Sequence, residues 1–265
     1  MPHSNTTATN RPHALITGAS VGIGREFARQ LAEQGYDLTL VARDRARLLS
    51  LAEEFERDYH VSISVLAADL TDDRDTTRVV QYLREHPVDV LVNNAGFGHA
   101  GRIGVIATET QDAMVRLHVL AVHRLTQAAL PAMLQRRSGT IIVVSSVASY
   151  LTSAGNVNYC ATKAYERIYA EGLAQETARN GIYIQALCPG FTHTELHERA
   201  GRAPPPPAWM WRPVGFVVGA SLRAMRARRP TVVVPGWPYK LITTVVRFSP
   251  RWLLRLEAQV YRRDR

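Results

Sequence analysis

Tyr159 and Lys163 stand four residues apart in VNYCATKAYE, residues 157–166. On a helix, positions i and i+4 lie over one face, so the lysine's charge would fall within reach of the phenol and favour its phenolate. A free phenol titrates at about 10, so such a neighbour would matter for proton transfer near neutrality. The same spacing suits a core tyrosine beside a solvated lysine, and spacing by itself leaves both readings open.

GASVGIG, residues 18–24, sets Gly18, Gly22 and Gly24 between an apolar run and the helical pattern REFARQLAEQG. Gly18 lets the chain turn, Gly22 lets backbone approach a pyrophosphate, and Gly24 permits close helix packing, with the helix N-terminus facing the negative charge. A strand before and a helix after point to a dinucleotide site rather than a structural turn. The next apolar run ends LVARDR, with Ala42 and Arg43 where an acidic residue would hold a phosphate-free ribose. A guanidinium there pairs with a 2′-phosphate, which favours NADP. Asp44 takes the acidic role if the strand ends one residue later, and a solvated Arg43 is the third option.

Positioning these groups requires a scaffold, and its elements are legible. HALIT at 13–17, DLTLVAR, SISVLAADL, VDVLVNNAG, TIIVVSSV and IYIQALCPG are apolar runs that each end in small, polar or turn-forming residues. Helical stretches separate most of them, including about 44–58, 111–137 and 158–180. Runs this continuously apolar, alternating with helices, predict an α/β fold: a doubly wound, Rossmann-like parallel sheet with helices on both faces. The rhythm breaks at ERAGRAPPPPAWMWRP, residues 198–213, where four prolines cannot continue a helix. This segment either covers the crevice beyond the strand ends or forms a rigid excursion packed outside it. TVVVPG supplies one more strand. The expected organisation is a flexible leader at 1–11, one catalytic domain at 12–236 with a substrate-covering segment about 195–213, and a basic amphipathic extension at 237–265.

At 265 residues and 46% hydrophobic, the chain can bury one large core. Its charge of +9 is unevenly placed. Residues 223–265 hold eleven Lys or Arg against Glu257 and Asp264, so the rest of the chain balances to zero. The tail fits packed helices with solvated arginines, or peripheral contact with a membrane surface; nucleic acid is disfavoured because the body is not basic. Cys160 and Cys188 lack metal-ligand companions at useful spacing, which gives no support to a disulfide scaffold or a structural zinc site and fits a reducing cytoplasm. MPHSNTTATNR has no apolar run of a signal peptide, and no stretch approaches the roughly 20 residues of a membrane span.

Taken together, TGASVGIG at 17–24, NNAG at 93–96, VVSSVAS at 143–149, YCATK at 159–163 and PGFTHT at 189–194 resemble the motifs of the short-chain dehydrogenases/reductases, in family order over roughly residues 13–195. The resemblance implies that Tyr159 is the general acid that protonates a carbonyl oxygen as hydride arrives. Lys163 would lower the phenol's pKa and hold the nicotinamide ribose, and Ser146, or Ser145 if the strand shifts by one, would donate to the same oxygen. It also implies cofactor contacts by Gly18, Ser20, Gly22, Ile23, Gly24 and Arg43, by Asp69 on the adenine side, by Asn93, Ala95 and Gly96 beneath, and by Pro189, Gly190, Thr192 and Thr194 near the carboxamide.

One position departs from the family pattern. An asparagine that helps hold a lysine-linked water is replaced by His118 in MVRLHVLAVHRLT. An imidazole can serve a relay, organise the water, or merely pack, and altered redox activity is the remaining option. His99 lines the substrate side or is solvated. VVVPG and the tail resemble ketoacyl and hydroxysteroid reductase-like members, which implies a bulky or apolar ketone. The function so implied is NADP-dependent hydride transfer between the nicotinamide and a ketone or secondary alcohol. The alternatives are a non-redox isomerase, dehydratase or cyclase on the same scaffold, and a cofactor-binding protein without turnover. A homodimer or homotetramer through the helices at 111–137 and 158–180 is the implied assembly.

Overall fold

His13–Thr17 (β1) is buried from Ala14 onward, as an apolar run without a solvated face requires of a central strand. It pairs in parallel with Asp37–Ala42 (β2) on one side and Val90–Asn93 (β4) on the other. The structure, a computed structural model, describes residues 11–193 and 207–249. The remaining strands are Ile63–Ala67 (β3), Gly139–Val144 (β5), Ile182–Leu187 (β6) and Val232–Val233 (β7). All pair in parallel in the order β3-β2-β1-β4-β5-β6-β7, so the expected doubly wound sheet is present.

The helices are Gly22–Glu33 (α1), Arg45–Tyr59 (α2), Asp73–Glu85 (α3), Thr108–Val115 (α4), Val122–Arg136 (α5), Val157–Glu176 (α6), Val214–Ala227 (α7) and Trp237–Phe248 (α8). Successive strand residues face opposite layers. Ala14, Ile16, Val90 and Val92 pack with Phe27 and Leu31 of α1, Phe55 of α2 and Val217 of α7. Leu15, Leu91, Ile141 and Val143 pack with Val79 of α3, Leu125 of α5 and Leu173 of α6. The sheet is thus covered on both faces by helices, as a doubly wound fold requires.

Two local features bear on the site. Between α4 and α5 the chain continues as a π-helical segment, Arg116–Ala121, that carries His118. Such widened turns re-aim side chains within otherwise regular helices. The strand expected in TVVVPG shortens to two residues, because Pro235 has no N–H with which to extend the ladder.

The cover is expected over about 195–213, of which residues 195–206 lie outside the described residues. Its end is described. Trp211 and Arg212 follow a short 3-10 turn at Ala208–Met210, and Arg212 exchanges backbone hydrogen bonds with Phe191 and His193. The basic tail begins as α8, whose Tyr239 is 1% exposed and therefore part of the packed body.

Candidate active site

The turn after β1 is shaped by what cannot fit there. Gly18 and Gly22 have φ of +65° and +55°, which side-chain-bearing residues rarely adopt. A Cβ on Gly24 would lie 2.2 Å from the Gly18 carbonyl oxygen. Asn94 fastens the turn: its Nδ2 donates to the Thr17 and Gly18 carbonyls at 2.9 and 3.3 Å. Thr17 Oγ1 accepts from the backbone N–H groups of Asn94 and Ala95, each at 2.9 Å. No side chain caps the start of α1, so its first N–H groups, next to Ser20 and Ile23, remain available to an anion. The tight turn and the uncapped helix start fit a bound pyrophosphate.

Arg43 follows β2 directly, is exposed, and makes no hydrogen bond or ion pair with any described residue. Asp44 is committed elsewhere, because its Oδ1 accepts from Arg47 N at 3.0 Å as the N-cap of α2. The two residues that competed in sequence for the ribose are thus divided between helix and solvent. Asp69 lies beyond β3, and its Oδ1 accepts from both the backbone and hydroxyl of Thr71.

Of the two asparagines of NNAG, Asn93 is buried and reaches α5. Its Nδ2 donates to Thr126 Oγ1 of α5 at 3.1 Å. Gly96 passes so close to the π-helical segment and Lys163 that a Cβ there would lie 2.9 Å from His118 Nε2 and 3.4 Å from Lys163 Nζ. A Cβ on Gly98 would lie 3.7 Å from the Tyr159 ring, so this loop runs along the edge of the phenol. His99 is exposed.

α6 starts at Val157, which puts Tyr159 in its first turn, half-buried, and Lys163 one turn further in, buried. Lys163 Nζ lies 5.9 Å from the centroid of the Tyr159 ring. It donates to the Val144 carbonyl at the end of β5 at 3.0 Å and pairs with Glu166 at 2.9 and 3.1 Å from the two carboxylate oxygens. Burial pushes the Glu166 carboxyl up to about 7 although Lys163 opposes it.

The neighbouring serines divide clearly. Ser145 is buried and donates to the Lys163 carbonyl at 2.7 Å, whereas Ser146 is partly exposed and accepts from Ala148 N at 3.1 Å. The Ser146 hydroxyl proton is thereby left for another partner.

His118 is completely buried, and both ring nitrogens are engaged. Nε2 accepts from Phe97 N at 3.2 Å, and Nδ1 lies 2.9 Å from Thr162 Oγ1, whose hydroxyl donates to the Tyr159 carbonyl. These partners fix the proton on Nδ1. Burial first, and then the Lys163 charge, hold the imidazolium form well below the usual histidine range.

Beyond β6, Pro189 O accepts from Val147 N at 3.0 Å and joins this loop to the serine turn. A Cβ on Gly190 would lie 2.0 Å from the Tyr239 ring, and Tyr239 Oη accepts from Phe191 N at 2.9 Å while donating to Met210 O at 2.7 Å. Thr192 Oγ1 donates to Gly190 O at 3.0 Å. Thr194 lies outside the described residues.

The arrangement brings a half-buried phenol, a cation, an available hydroxyl and a phosphate-accepting turn to the carboxyl ends of the strands. Among the described residues no His, Cys, Asp and Glu cluster could hold a metal ion. Cys188, buried, has its thiol pushed up to about 11, which makes it a poor nucleophile. Asn94, Thr162, Glu166 and Tyr239 support this site without having been singled out in the sequence. Glu166 had one available signal: it stands three residues after Lys163, on the same helical face.

Over residues 12–204 the chain matches the family model described as short chain dehydrogenase. It is 36% identical over 188 residues to the uncharacterized oxidoreductase YmfI of Bacillus subtilis, a span of 69% of this chain and 76% of that one. It is 33% identical over 235 residues to the very-long-chain 3-oxoacyl-CoA reductase of Laccaria bicolor, 86% of this chain and 70% of that one. Among solved structures, a short-chain dehydrogenase from Sphingobium yanoikuyae in complex with NADPH aligns with TM-score 0.80 at 36% identity, covering 84% of this chain and 87% of that one. The bulky-bulky ketone specific alcohol dehydrogenase of Comamonas testosteroni aligns with TM-score 0.77 at 32% identity, covering 97% and 95%.

Proposed function

We propose, from the premise that the chain belongs to the short-chain dehydrogenase family, that it is an NADP-dependent oxidoreductase interconverting a ketone and a secondary alcohol. The observation that carries this reading is the placing of Tyr159 and Lys163 on one face of α6, beside a glycine turn fit for a pyrophosphate. When bound, the nicotinamide supplies or accepts the hydride. Tyr159 gives its phenolic proton to the carbonyl oxygen in reduction and recovers it in oxidation. Ser146 donates to the same oxygen as negative charge grows on it. Lys163 stabilises the phenolate that proton donation leaves behind.

The N–H groups at the start of α1 hold the pyrophosphate, and Arg43 takes the 2′-phosphate. Gly18, Ser20, Gly22, Ile23 and Gly24 form the phosphate turn; Asp69 bounds the adenine side and Ala95 and Gly96 the floor. Pro189, Gly190 and Thr192 bound the carboxamide side. His118 positions the floor loop against α6, and with both nitrogens claimed it offers no support to the isomerase, dehydratase or cyclase alternative. A bulky or apolar ketone is the preferred substrate class, supported by the specificity named for the Comamonas enzyme and by the 3-oxoacyl-CoA reductase relatives. The test is NADPH absorbance with ketones from small to bulky: consumption that needs both ketone and Tyr159 supports the reading, and NADPH binding without consumption across the panel overturns it.

The exposed face of α8 favours an additional contact. Trp237, Leu241, Val245 and Phe248 form one exposed stripe at helical spacing, flanked by exposed Lys240 and Arg247. The excess positive charge of the chain lies in the same region, so an anionic lipid surface is its proposed partner. No described helix is long and apolar enough to cross a membrane, so the contact is peripheral. Co-sedimentation with phosphatidylserine vesicles but not with phosphatidylcholine vesicles supports it; equal behaviour, or burial of the stripe in a dimer by solution mass, overturns it. Homo-oligomerisation through the faces of α4 to α6, and a cytoplasmic location, complete the proposal.

A further inference from the structure

Glu166 is a carboxylate that the proposed chemistry does not use. It is 1% exposed, in the interior of α6, and a side chain of its type is buried only where something compensates its charge. The compensation is Lys163 Nζ, 2.9 Å from Oε2 and 3.1 Å from Oε1, with the lysine itself buried. Oε1 accepts the lysine's hydrogen bond, and Oε2, in ionic contact, has no hydrogen-bond partner among the described residues. An apolar residue of similar volume would fill the same space without the desolvation cost, so the pair is a poor device for stability alone.

The ammonium beside Tyr159 is therefore not a free positive charge. One of its three protons goes to the Val144 carbonyl and another to Glu166, which leaves one for the crevice. A negative charge at contact with Nζ also offsets part of the lysine's field at the phenol, whose ring centroid is 5.9 Å from Nζ.

The other groups packed around the pair do not restore that field. His118, from the π-helical segment, is held neutral by burial. Cys188, beyond β6, is a neutral thiol. Ser145 is occupied by the Lys163 carbonyl. Arg167, next on α6, is turned to Glu171 at 2.8 Å and over the Tyr150 ring.

We infer that Glu166 is the internal counter-ion of Lys163, and that by offsetting part of the lysine's field it favours the protonated phenol of Tyr159 over its phenolate, so that the site gives a proton to a carbonyl more readily than it takes one from an alcohol. Glu166 is then a positioning residue, acting on the phenol through Lys163. The functional consequence rests on the oxidoreductase reading, but the electrostatic statement does not. The carboxyl ionises near neutrality, so the offset grows as pH rises through about 7.

The experiment has two arms. In the first, the tyrosinate ultraviolet difference spectrum is followed against pH in the free protein, with Tyr159→Phe subtracted to isolate one phenol. Glu166→Gln and Glu166→Met should lower that phenol's midpoint by about one pH unit, the size expected when an opposite charge nearby becomes uncompensated. Glu166→Asp, which keeps the charge, should hold it near the wild-type position. In the second, the acidic limb of kcat/KM for alcohol oxidation should move down by the same interval in Gln and Met variants, which raises oxidation about tenfold at a pH on that limb.

An unmoved phenol midpoint in a folded Gln or Met variant overturns the inference and leaves Glu166 a structural partner. If those variants do not fold, the wild type decides: a Tyr159 midpoint already near neutrality would show a lysine field that is not offset. A shifted midpoint with no oxidation or reduction of any ketone or alcohol in the panel would sustain the electrostatics and sink the oxidoreductase reading instead.

Discussion

Phe97 donates its backbone N–H to His118 Nε2 at 3.2 Å, so the one ring atom with a lone pair is already spent on the loop that carries Ala95 and Gly96. His118 is thus a brace between that loop and Thr162 on the helix of Tyr159. Replacing it with phenylalanine leaves the part-buried Phe97 N–H without its acceptor, which should cost about 1 kcal/mol and lower the melting temperature. His118→Asn should retain more stability. Because the imidazole stays neutral, neither change should add or remove a limb in the pH profile of turnover; a limb lost near the histidine range in His118→Asn would restore a relay role.

Tyr159→Phe removes the proton donor and little else, since the ring remains against the Gly98 loop. kcat/KM for ketone reduction should fall by roughly 10²–10⁴-fold, the usual worth of a positioned general acid. NADPH affinity, read by fluorescence titration, should stay within about threefold on the arithmetic that a change this small is well under 1.4 kcal/mol. Joint loss of binding and folding would make the phenol a core residue instead.

Arg43→Ala and Asn94→Ala should separate two parts of cofactor recognition. Loss of a charge-assisted bond to a phosphate is worth about 1.5–3 kcal/mol, so Arg43→Ala should weaken NADPH roughly 10–100-fold and NADH much less. Asn94 instead fastens the turn through Thr17 and Gly18. Its loss should weaken NADPH and NADH by a similar factor. Equal weakening of both cofactors by Arg43→Ala would sink the phosphate assignment.

These contrasts show where sequence sufficed. The sheet was legible because its strands are continuously apolar and each ends at a turn signal, so alternation alone fixed the fold class. The glycine turn and the Tyr159 and Lys163 pair were legible because spacing carries their chemistry. The roles within NNAG were not: Asn93 and Asn94 are adjacent on an extended chain and face opposite layers, so one bonds Thr126 while the other bonds the turn. Glu166 resembled any glutamate on a mixed helix face, and only the packing of α6 against β5 buries it. Tyr239 sits in a tail whose composition suggested an extension, yet its burial depends on the absence of a side chain at Gly190.

Stability against pH offers the last test, because Glu166 and His118 act with opposite signs. The Glu166 carboxyl is raised from 4.5 to about 7 in the folded protein, so the folded state binds the proton more tightly than the unfolded chain. Its contribution is fully present below 4.5 and is lost as pH rises through about 7. His118 is lowered from 6.5 by burial, so its contribution is present above 6.5 and is lost as pH falls through its depressed value. Comparing wild type with Glu166→Gln cancels the histidine, which both proteins share. The melting temperature of the Gln variant relative to wild type should therefore rise between about pH 5 and pH 8, since only the wild type must ionise a buried carboxyl over that interval. Parallel melting curves across the interval would mean that Glu166 is ionised in the folded protein throughout, with Lys163 compensating its burial in full.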